Sequence, residues 1–237
     1  MTDSLQISGL VKRYGKKVAV DGVSFDVCAG EIVGLLGPNG AGKSTTLLCA
    51  AGLLRQDAGT FAWKGVPLGP VRGQTIALIP ETPDVYPMLT VWEHLEFVAK
   101  SCRLRNDWEA RGRSLLDRFG MTEHAQTLGS GLSKGMRQKT LVAATVLAAT
   151  PVLLFDEPMI GLDPLGQREL RQIVRDLAAE GTAIVLSTHM LEQAQSTCDR
   201  MVILKTGRVV AQGTLSQLQE QTGTHGTAED LFLELTR

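Results

Sequence analysis

A glycine-rich motif of the form GxxxxGK[ST] occupies residues 37–44 and narrows the possible folds more than any other part of the sequence. It stands between a continuously apolar segment, residues 32–36, and a segment of helical periodicity from about Lys43 to Leu54. In such a loop the glycines let backbone N–H groups turn inward around phosphate oxygens, and the helix N-terminus adds a positive dipole. The motif and its flanks therefore predict a nucleotide phosphate cradle that follows a buried strand.

Each residue type in this loop has an expected role. The Lys43 ammonium is predicted to contact the β and γ phosphates, and the Ser44 hydroxyl is predicted to bind Mg²⁺. The nucleotide-binding residues predicted here are Gly37, Pro38, Asn39, Gly40, Ala41, Gly42, Lys43, Ser44 and Thr45.

Two carboxylates follow a second apolar segment, residues 152–155. Asp156 is predicted to hold Mg²⁺, often through water, and Glu157 is predicted to polarise the attacking water. His189 follows a third apolar segment, where a histidine could reach the γ-phosphate, although a lone histidine is more often structural. The candidate catalytic residues are Lys43, Glu157 and His189.

The order of apolar and helical segments predicts an α/β fold. Short strands with turns in the first 30 residues favour an antiparallel start, and residues 90–149 read as mostly helical, with Thr90 as a candidate cap. Three segments have the continuous apolar pattern of strands buried on both faces: residues 32–36, 152–155 and 183–186. This spacing predicts a parallel sheet with right-handed crossovers, interrupted by a helical insertion.

Composition excludes several classes of protein. With 24 Lys+Arg and 25 Asp+Glu the formal net charge is −1, so no global basic field would hold the chain on nucleic acid or an anionic bilayer. The longest apolar run, residues 141–155, is shorter than a bilayer crossing, so we expect no membrane span in this chain. The polar N-terminus predicts no secretory signal, and four well-separated cysteines predict reduced thiols in a cytosolic protein.

Taken together, these motifs resemble the ATP-binding cassette (ABC) ATPases over nearly the whole chain and in the family's order. Tyr14 resembles the aromatic that stacks on adenine, residues 132–139 resemble the family signature, and residues 160–164 resemble the D-loop. The resemblance implies a P-loop NTPase (RecA-like) core, ATP as the nucleotide and His189 as the switch histidine. It also implies that Ser133 and Gly135 contact the γ-phosphate bound by the opposite subunit.

More narrowly, four segments resemble the single-cassette subunits of the ABC-2 exporter group, with the Ecs-type ATPases as the nearest match. These segments are residues 79–83, 89–96, 133–136 and 228–233. The resemblance implies that the chain packs head to tail with a second copy of itself, or with a paralogous ATPase, around two Mg-ATP. It further implies ATP hydrolysis that drives a separate transmembrane permease, a cytoplasmic position on the inner face of the membrane, and no direct nucleic-acid partner.

On this resemblance we expect one ABC ATPase domain over residues 1–237. Its expected parts are an α/β core with an antiparallel portion (1–82 and 150–211), a helical signature subdomain (83–149) and a C-terminal helical tail (212–237).

Two departures from the commonest family pattern stand out. Glu81 occupies a position that is usually Gln, and its carboxylate is expected to ligate Mg²⁺. Lys134 and Met136 stand in the signature where Gly and Gln are common. Because Ser133 and Gly135 are kept, we expect function to survive.

The main alternative is a soluble ABC ATPase that acts on the ribosome or on DNA. Such proteins usually carry two cassettes in one chain or a long coiled-coil insertion, and neither is visible in this sequence. A non-catalytic sensing module is disfavoured by Glu157 and His189. A GTPase is disfavoured because the sequence contains no Asn-Lys-x-Asp motif.

Overall fold

The computed structural model describes residues 3–105 and 107–222, which form two compact units. The first unit draws on Met1–Leu78, Pro151–Glu157 and Val174–Arg237, and the second on Ile79–Thr150 and Pro158–Ile173. Part of the tail expected over residues 212–237, namely residues 223–237, lies outside the described residues, and so does the segment 228–233.

Strands and helices follow one another in the order expected for an α/β fold. The strands are β1 (Ser4–Tyr14), β2 (Lys17–Cys28), β3 (Ile32–Leu36), β4 (Ala58–Trp63), β5 (Val66–Pro67), β6 (Ile76–Ile79), β7 (Val152–Asp156), β8 (Ala183–Thr188), β9 (Arg200–Lys205) and β10 (Arg208–Gly213). The α-helices are α1 (Lys43–Ala50), α2 (Val91–Ser101), α3 (Trp108–Arg118), α4 (Lys134–Leu147), α5 (Pro164–Ala179), α6 (Leu191–Thr197) and α7 (Leu215–Thr222). Short 3₁₀ turns lie at Thr122–His124 and Gly129–Gly131.

The antiparallel start is a four-stranded sheet in the order β2-β1-β4-β5. Its inner face is apolar at alternate positions, as a half-buried strand requires. Ile7 of β1 pairs with Phe25 of β2 on one side and with Phe61 of β4 on the other, and all three side chains are buried. This row of large side chains fixes the register of the sheet, because a slip by one residue would expose all of them.

The core is a six-stranded sheet in the order β10-β9-β3-β8-β7-β6, in which β9, β3, β8 and β7 run parallel. Every residue of β3, β7 and β8 is buried. The carboxyl ends of these three strands share one edge, where Leu36 pairs with Thr188 and Asp156 pairs with Ser187. The predicted fold, with its parallel core, antiparallel start and helical insertion, is confirmed.

Helix α1 is shorter than the sequence predicts, since it ends at Ala50 and not near Leu54. Gly52 adopts a positive φ of 76°, and the N–H groups of Leu53 and Leu54 both donate back to the Leu48 carbonyl. A left-handed glycine after the last turn is a common helix stop. The side chain of Leu54 therefore packs against the core from a loop.

The second unit is mainly helical. Thr90 caps α2 in a reciprocal capping box, in which the Glu93 N–H donates to Thr90 Oγ1 at 3.1 Å and the Thr90 N–H donates to Glu93 Oε2 at 2.7 Å. This backbone hydrogen bond lowers the pKa of Glu93. Trp92 of α2 stacks on Trp108 of α3 with ring centroids 5.4 Å apart.

Among residues 3–105 and 107–222, no helix combines the length and the apolar character that a membrane crossing requires.

Candidate nucleotide-binding and hydrolysis site

The loop between β3 and α1 encloses its own lysine. The Lys43 side chain is only 6% exposed, and its ammonium donates to the Gly37 carbonyl at 2.7 Å and to the Pro38 carbonyl at 3.4 Å. Gly42 is the N-cap at φ 103°, and a Cβ there would lie 2.6 Å from the Ala19 carbonyl oxygen. The loop can therefore take this shape only with glycine at position 42.

The start of α1 is open to an anion. Gly42 offers no side-chain cap to the first helical N–H groups, and the first turn holds no acidic residue. Ser44 is exposed and Thr45 is half-buried. Uncapped amides, a helix dipole and a hydroxyl at one helix start suit phosphate oxygens and a cation bound to them.

The two predicted carboxylates end β7 and are linked through a serine of β8. Ser187 Oγ donates to Asp156 Oδ1 at 2.6 Å and accepts the Glu157 N–H at 3.0 Å. Glu157 has a φ of 46°, in the left-handed region that non-glycine residues seldom adopt. Such backbone conformations persist only where surrounding contacts hold them in place, and they are frequent at functional sites.

The Glu157 carboxylate lies between Lys43 and His189. Its Oε1 is 3.4 Å from Lys43 Nζ, and its Oε2 accepts a hydrogen bond from His189 Nδ1 at 3.0 Å. Glu157 is buried and His189 is partly exposed. With the Nδ1 proton directed at the carboxylate, Nε2 is the ring nitrogen left for an incoming group, since no described residue bonds to it.

The donor set at this edge suits Mg²⁺. Asp156 Oδ2 accepts no hydrogen bond from any described residue, and the Ser44 hydroxyl is exposed. The described part of the chain holds no cluster of three or more His, Cys, Asp or Glu that would bind a metal by itself. One carboxylate and one hydroxyl, completed by phosphate oxygens and water, are typical of a magnesium site.

The other predicted residues lie apart from this cluster along the chain. Tyr14 ends β1 in the first unit, and its side chain is 50% exposed. Three predicted residues belong to the second unit: Glu81, Ser133 and Gly135. Glu81 is exposed after β6, and Ser133 caps α4 by accepting the Met136 N–H at 3.3 Å.

Sequence reasoning did not assign a role to Ser187. Its hydroxyl bonds both the Asp156 carboxylate and the Glu157 backbone N–H, so it fixes the Asp156 side chain relative to the backbone of Glu157. The signal in the sequence was a polar residue near the end of an otherwise apolar strand. The sequence does not show which residue Ser187 bonds, because that depends on the register between β7 and β8.

Comparison with known proteins identifies the family. The sequence matches the ABC transporter family over residues 20–160. EcsA of Bacillus subtilis (strain 168), an ABC-type transporter ATP-binding protein, is 38% identical over 240 residues, covering 98% of this chain and 96% of EcsA. DrrA of Streptomyces peucetius, a daunorubicin/doxorubicin resistance ATP-binding protein, is 38% identical over 232 residues, covering 94% of this chain and 69% of DrrA.

A solved structure of an ATP-binding subunit of an ABC transporter superposes with a TM-score of 0.91 at 38% identity and covers 98% of this chain and 99% of that one. These matches confirm the resemblance to the Ecs-type ATPases and the P-loop NTPase fold. The chain thus belongs to the ABC transporter family and is one of its ATP-binding cassettes, an ATPase.

Proposed function

We propose that this chain is the ATP-hydrolysing subunit of an export-type ABC transporter. Two copies would bind head to tail around two Mg-ATP and drive a separate transmembrane permease from the cytoplasmic face of the membrane. The observation that carries this proposal is the contact chain from Lys43 through Glu157 to His189, at the edge where the phosphate loop begins. Export is supported by relatives such as DrrA, whose name records drug resistance.

Triphosphate binding would use the loop and the start of α1. The Lys43 ammonium already donates to two carbonyls, and phosphate oxygens are stronger acceptors for the same donor. Ser44 and Asp156 would hold the magnesium ion, and a metal-ligating role for Glu81 stays a prediction from the sequence. When bound, the metal neutralises developing charge on the phosphates.

Hydrolysis would use Glu157 and His189. The Glu157 carboxylate would orient a water molecule in line with the γ-phosphate and accept its proton as the new P–O bond forms and the bond to ADP breaks. His189 is held through Nδ1, so its Nε2 side would face the γ-phosphate and stabilise its charge. Lys43 would stabilise the same charge from the loop.

The second copy would supply the start of α4. Ser133 is the N-cap and Gly135 the second residue of the 14-residue helix α4, whose first turn holds no acidic residue. A Cβ at Gly135 would make only an ordinary contact, 3.6 Å from Leu162, so the glycine leaves backbone amides accessible to an approaching ligand. This helix start would contact the γ-phosphate bound by the partner copy.

An exposed apolar surface in the second unit suits a protein partner. Tyr86, Met88 and Phe97 are all exposed, and the Tyr86 and Phe97 rings pack edge to face with centroids 5.5 Å apart. His94 fixes the Tyr86 backbone, because its Nε2 accepts the Tyr86 N–H at 2.9 Å while Nδ1 donates to the Thr90 carbonyl at 2.7 Å. We propose that the permease docks at this surface.

The experiment is affinity purification of the Glu157→Gln variant with ATP from detergent-solubilised membranes of the native cell. We expect a polytopic membrane protein to co-purify in an ATP-dependent manner. The Lys43→Ala variant is the matched control, because it should not reach the ATP-bound form. Recovery of ribosomal or DNA-associated proteins, with no membrane protein, would contradict the transport function and favour a soluble cassette.

A further inference from the structure

A second lysine of the first unit lies against the predicted adenine platform. Lys12 and Tyr14 are two residues apart on β1, where the pairing with β2 is irregular between Lys12 and Arg13. The Lys12 ammonium lies 5.6 Å from the centroid of the Tyr14 ring. A cation at this distance from an aromatic ring is attracted by the ring's electron density.

Lys12 is held by a segment that precedes β4. Its ammonium donates to the Arg55 carbonyl at 2.7 Å and lies 3.8 Å from Asp57 Oδ2, and its side chain is only 13% exposed. Asp57 is in turn tied to β1: its carboxylate accepts the Arg13 N–H at 2.6 Å, and its own N–H donates to the Val11 carbonyl at 2.9 Å. Lys12 is therefore anchored rather than free in solvent.

The neighbouring Lys16 lacks this arrangement. Lys16 lies in the turn after Tyr14 and is exposed, and within the described residues it forms no ion pair or ring contact. The Tyr14 ring is thus half-exposed, and the anchored Lys12 ammonium lies close to it.

We propose that Lys12, anchored by the Arg55 carbonyl and Asp57, is a positioning residue for base recognition that holds the Tyr14 ring with its outer face toward the adenine. This inference rests on the proposed function, in which Tyr14 is the adenine platform. Lys12 acts on the base through Tyr14 and does not contact the phosphates.

Inorganic tripolyphosphate has the phosphates of ATP but no base. Comparing its binding with that of ATP separates base recognition by Lys12 from phosphate binding and from a general effect on folding. The measurement is the Kd for ATP and, in parallel, the Kd for inorganic tripolyphosphate, in wild type and in Lys12→Met, which keeps most of the length of the side chain but removes its charge. We expect Lys12→Met to raise the Kd for ATP by roughly threefold to tenfold, which corresponds to the usual strength of a cation–π contact. The Kd for tripolyphosphate should not change.

Four further variants complete the experiment: Lys16→Met, Lys12→Arg, Tyr14→Ala and the double variant of Tyr14→Ala with Lys12→Met. Lys16→Met removes the same charge from the neighbouring turn and should leave both Kd values unchanged. Lys12→Arg keeps a cation and should restore most of the ATP affinity. In a Tyr14→Ala background, Lys12→Met should have no further effect on ATP binding, because the ring through which it acts is gone.

The possible results distinguish a failure of the role of Lys12 from a failure of the Tyr14 platform or of the proposed function. If Lys12→Met leaves the Kd for ATP unchanged, weakens tripolyphosphate equally, or still weakens ATP without Tyr14, the role of Lys12 is overturned while the platform stands. If Tyr14→Ala binds ATP as tightly as wild type, the platform itself is wrong. If wild type binds neither ATP nor tripolyphosphate, the proposed function fails.

Discussion

Helices α1 and α4 begin with similar residues, but the surroundings of their first residues differ. Each starts with a lysine, Lys43 or Lys134, and neither has an acidic residue in its first turn. Lys43 is buried against two loop carbonyls and Glu157. Lys134 is exposed, pairs with no acidic side chain among the described residues, and rests its stem against Gly161.

This difference shows how many of the groups needed at each helix start are supplied by a single chain. The α1 site brings a cation, two carboxylates and a histidine together in one unit. The α4 start offers a serine cap, a glycine and an exposed lysine, and its first turn holds no acidic residue. We interpret the α1 site as a preformed catalytic site. We interpret the α4 start as a surface that binds a ligand held by another molecule.

The largest expected effect is on the chemistry at the α1 site. Glu157→Gln keeps the shape of the side chain but removes its basicity, so kcat should fall by about 10²–10⁴-fold, the usual range for loss of a general base. ATP should still bind, because Lys43 and the loop amides are intact. Phosphate release and equilibrium nucleotide binding measure the two quantities separately. Hydrolysis at the wild-type rate would contradict the role of Glu157.

Paired lysine substitutions test the comparison directly. Lys43→Ala should weaken ATP binding by about 10²-fold, because a charge-assisted contact to two phosphates is lost. Lys134→Ala should change ATP affinity of the isolated chain by less than about threefold, as expected for an exposed charge. Titration with a fluorescent ATP analogue checks both variants. Equal losses would mean that the two helix starts are equivalent within one chain.

The C-terminal ends of the same helices offer a second contrast. Arg72 is 4% exposed, donates to the Cys49 and Ala50 carbonyls of α1, and lies 3.9 Å from the Phe61 ring centroid. Burial lowers the pKa of Arg72. Arg111 donates to the Leu147 carbonyl of α4 at 3.1 Å and is only half-buried.

Replacing each arginine by methionine removes these bonds and keeps most of the side-chain volume. We expect Arg72→Met to lower the free energy of unfolding by about 3 kcal/mol and Arg111→Met by about 1 kcal/mol, because only the first leaves several buried carbonyls without their charged donor. Urea titration followed by circular dichroism measures both. A larger loss for Arg111→Met would reverse the comparison.

The smallest expected effect is the part of the Gly161→Ala loss that comes from the contact between Lys134 and residue 161. Gly161 has a φ of 81°, and a Cβ there would lie 2.7 Å from both Cε and Nζ of Lys134. Gly161→Ala should cost about 1–2 kcal/mol, mainly from the left-handed backbone. Adding Lys134→Ala should recover only the part due to the steric clash. A thermal unfolding series of the single and double variants tests this, and full recovery would show that backbone strain contributes nothing.

The sequence was sufficient to predict which residues meet at the sheet edge. Buried parallel strands end together, so Lys43, Asp156, Glu157 and His189 were expected near one another, and their contacts follow that expectation. Their roles in catalysis stay predictions. All four cysteines are free in the structure, and burial raises the pKa of Cys198 to about 12, which disfavours the reactive thiolate at that position.

Contacts that depend on register and on long-range packing could not be predicted. The bridge from Ser187 to Asp156 requires the pairing of β7 with β8, and the Arg72 cap requires a loop 22 residues beyond Ala50 to fold back onto α1. The stacking of Trp92 on Trp108 depends on how α2 meets α3, where Gly112 leaves room for the indole. Local periodicity carries no information about such contacts.

The most direct test of the central claim is complementation between two inactive variants. Lys43→Ala disables the α1 site but keeps the α4 start. Gly135→Asp puts a negative charge at the α4 start. The helix dipole stabilises this charge and there is room for the side chain beside Leu162, so the variant should fold. The same charge should repel a phosphate group. Each purified variant alone should hydrolyse ATP slowly.

Mixing the two variants in equal amounts should restore ATP hydrolysis. In a head-to-tail dimer, half of the random pairs contain one intact composite site, so recovery should approach about a quarter of the wild-type rate if sites act independently. Mixing Lys43→Ala with Glu157→Gln is the matched control and should restore little, since both variants disable the same helix-α1 site. No recovery from two folded variants in the first mixture would contradict a shared site and show that each chain hydrolyses ATP by itself or not at all.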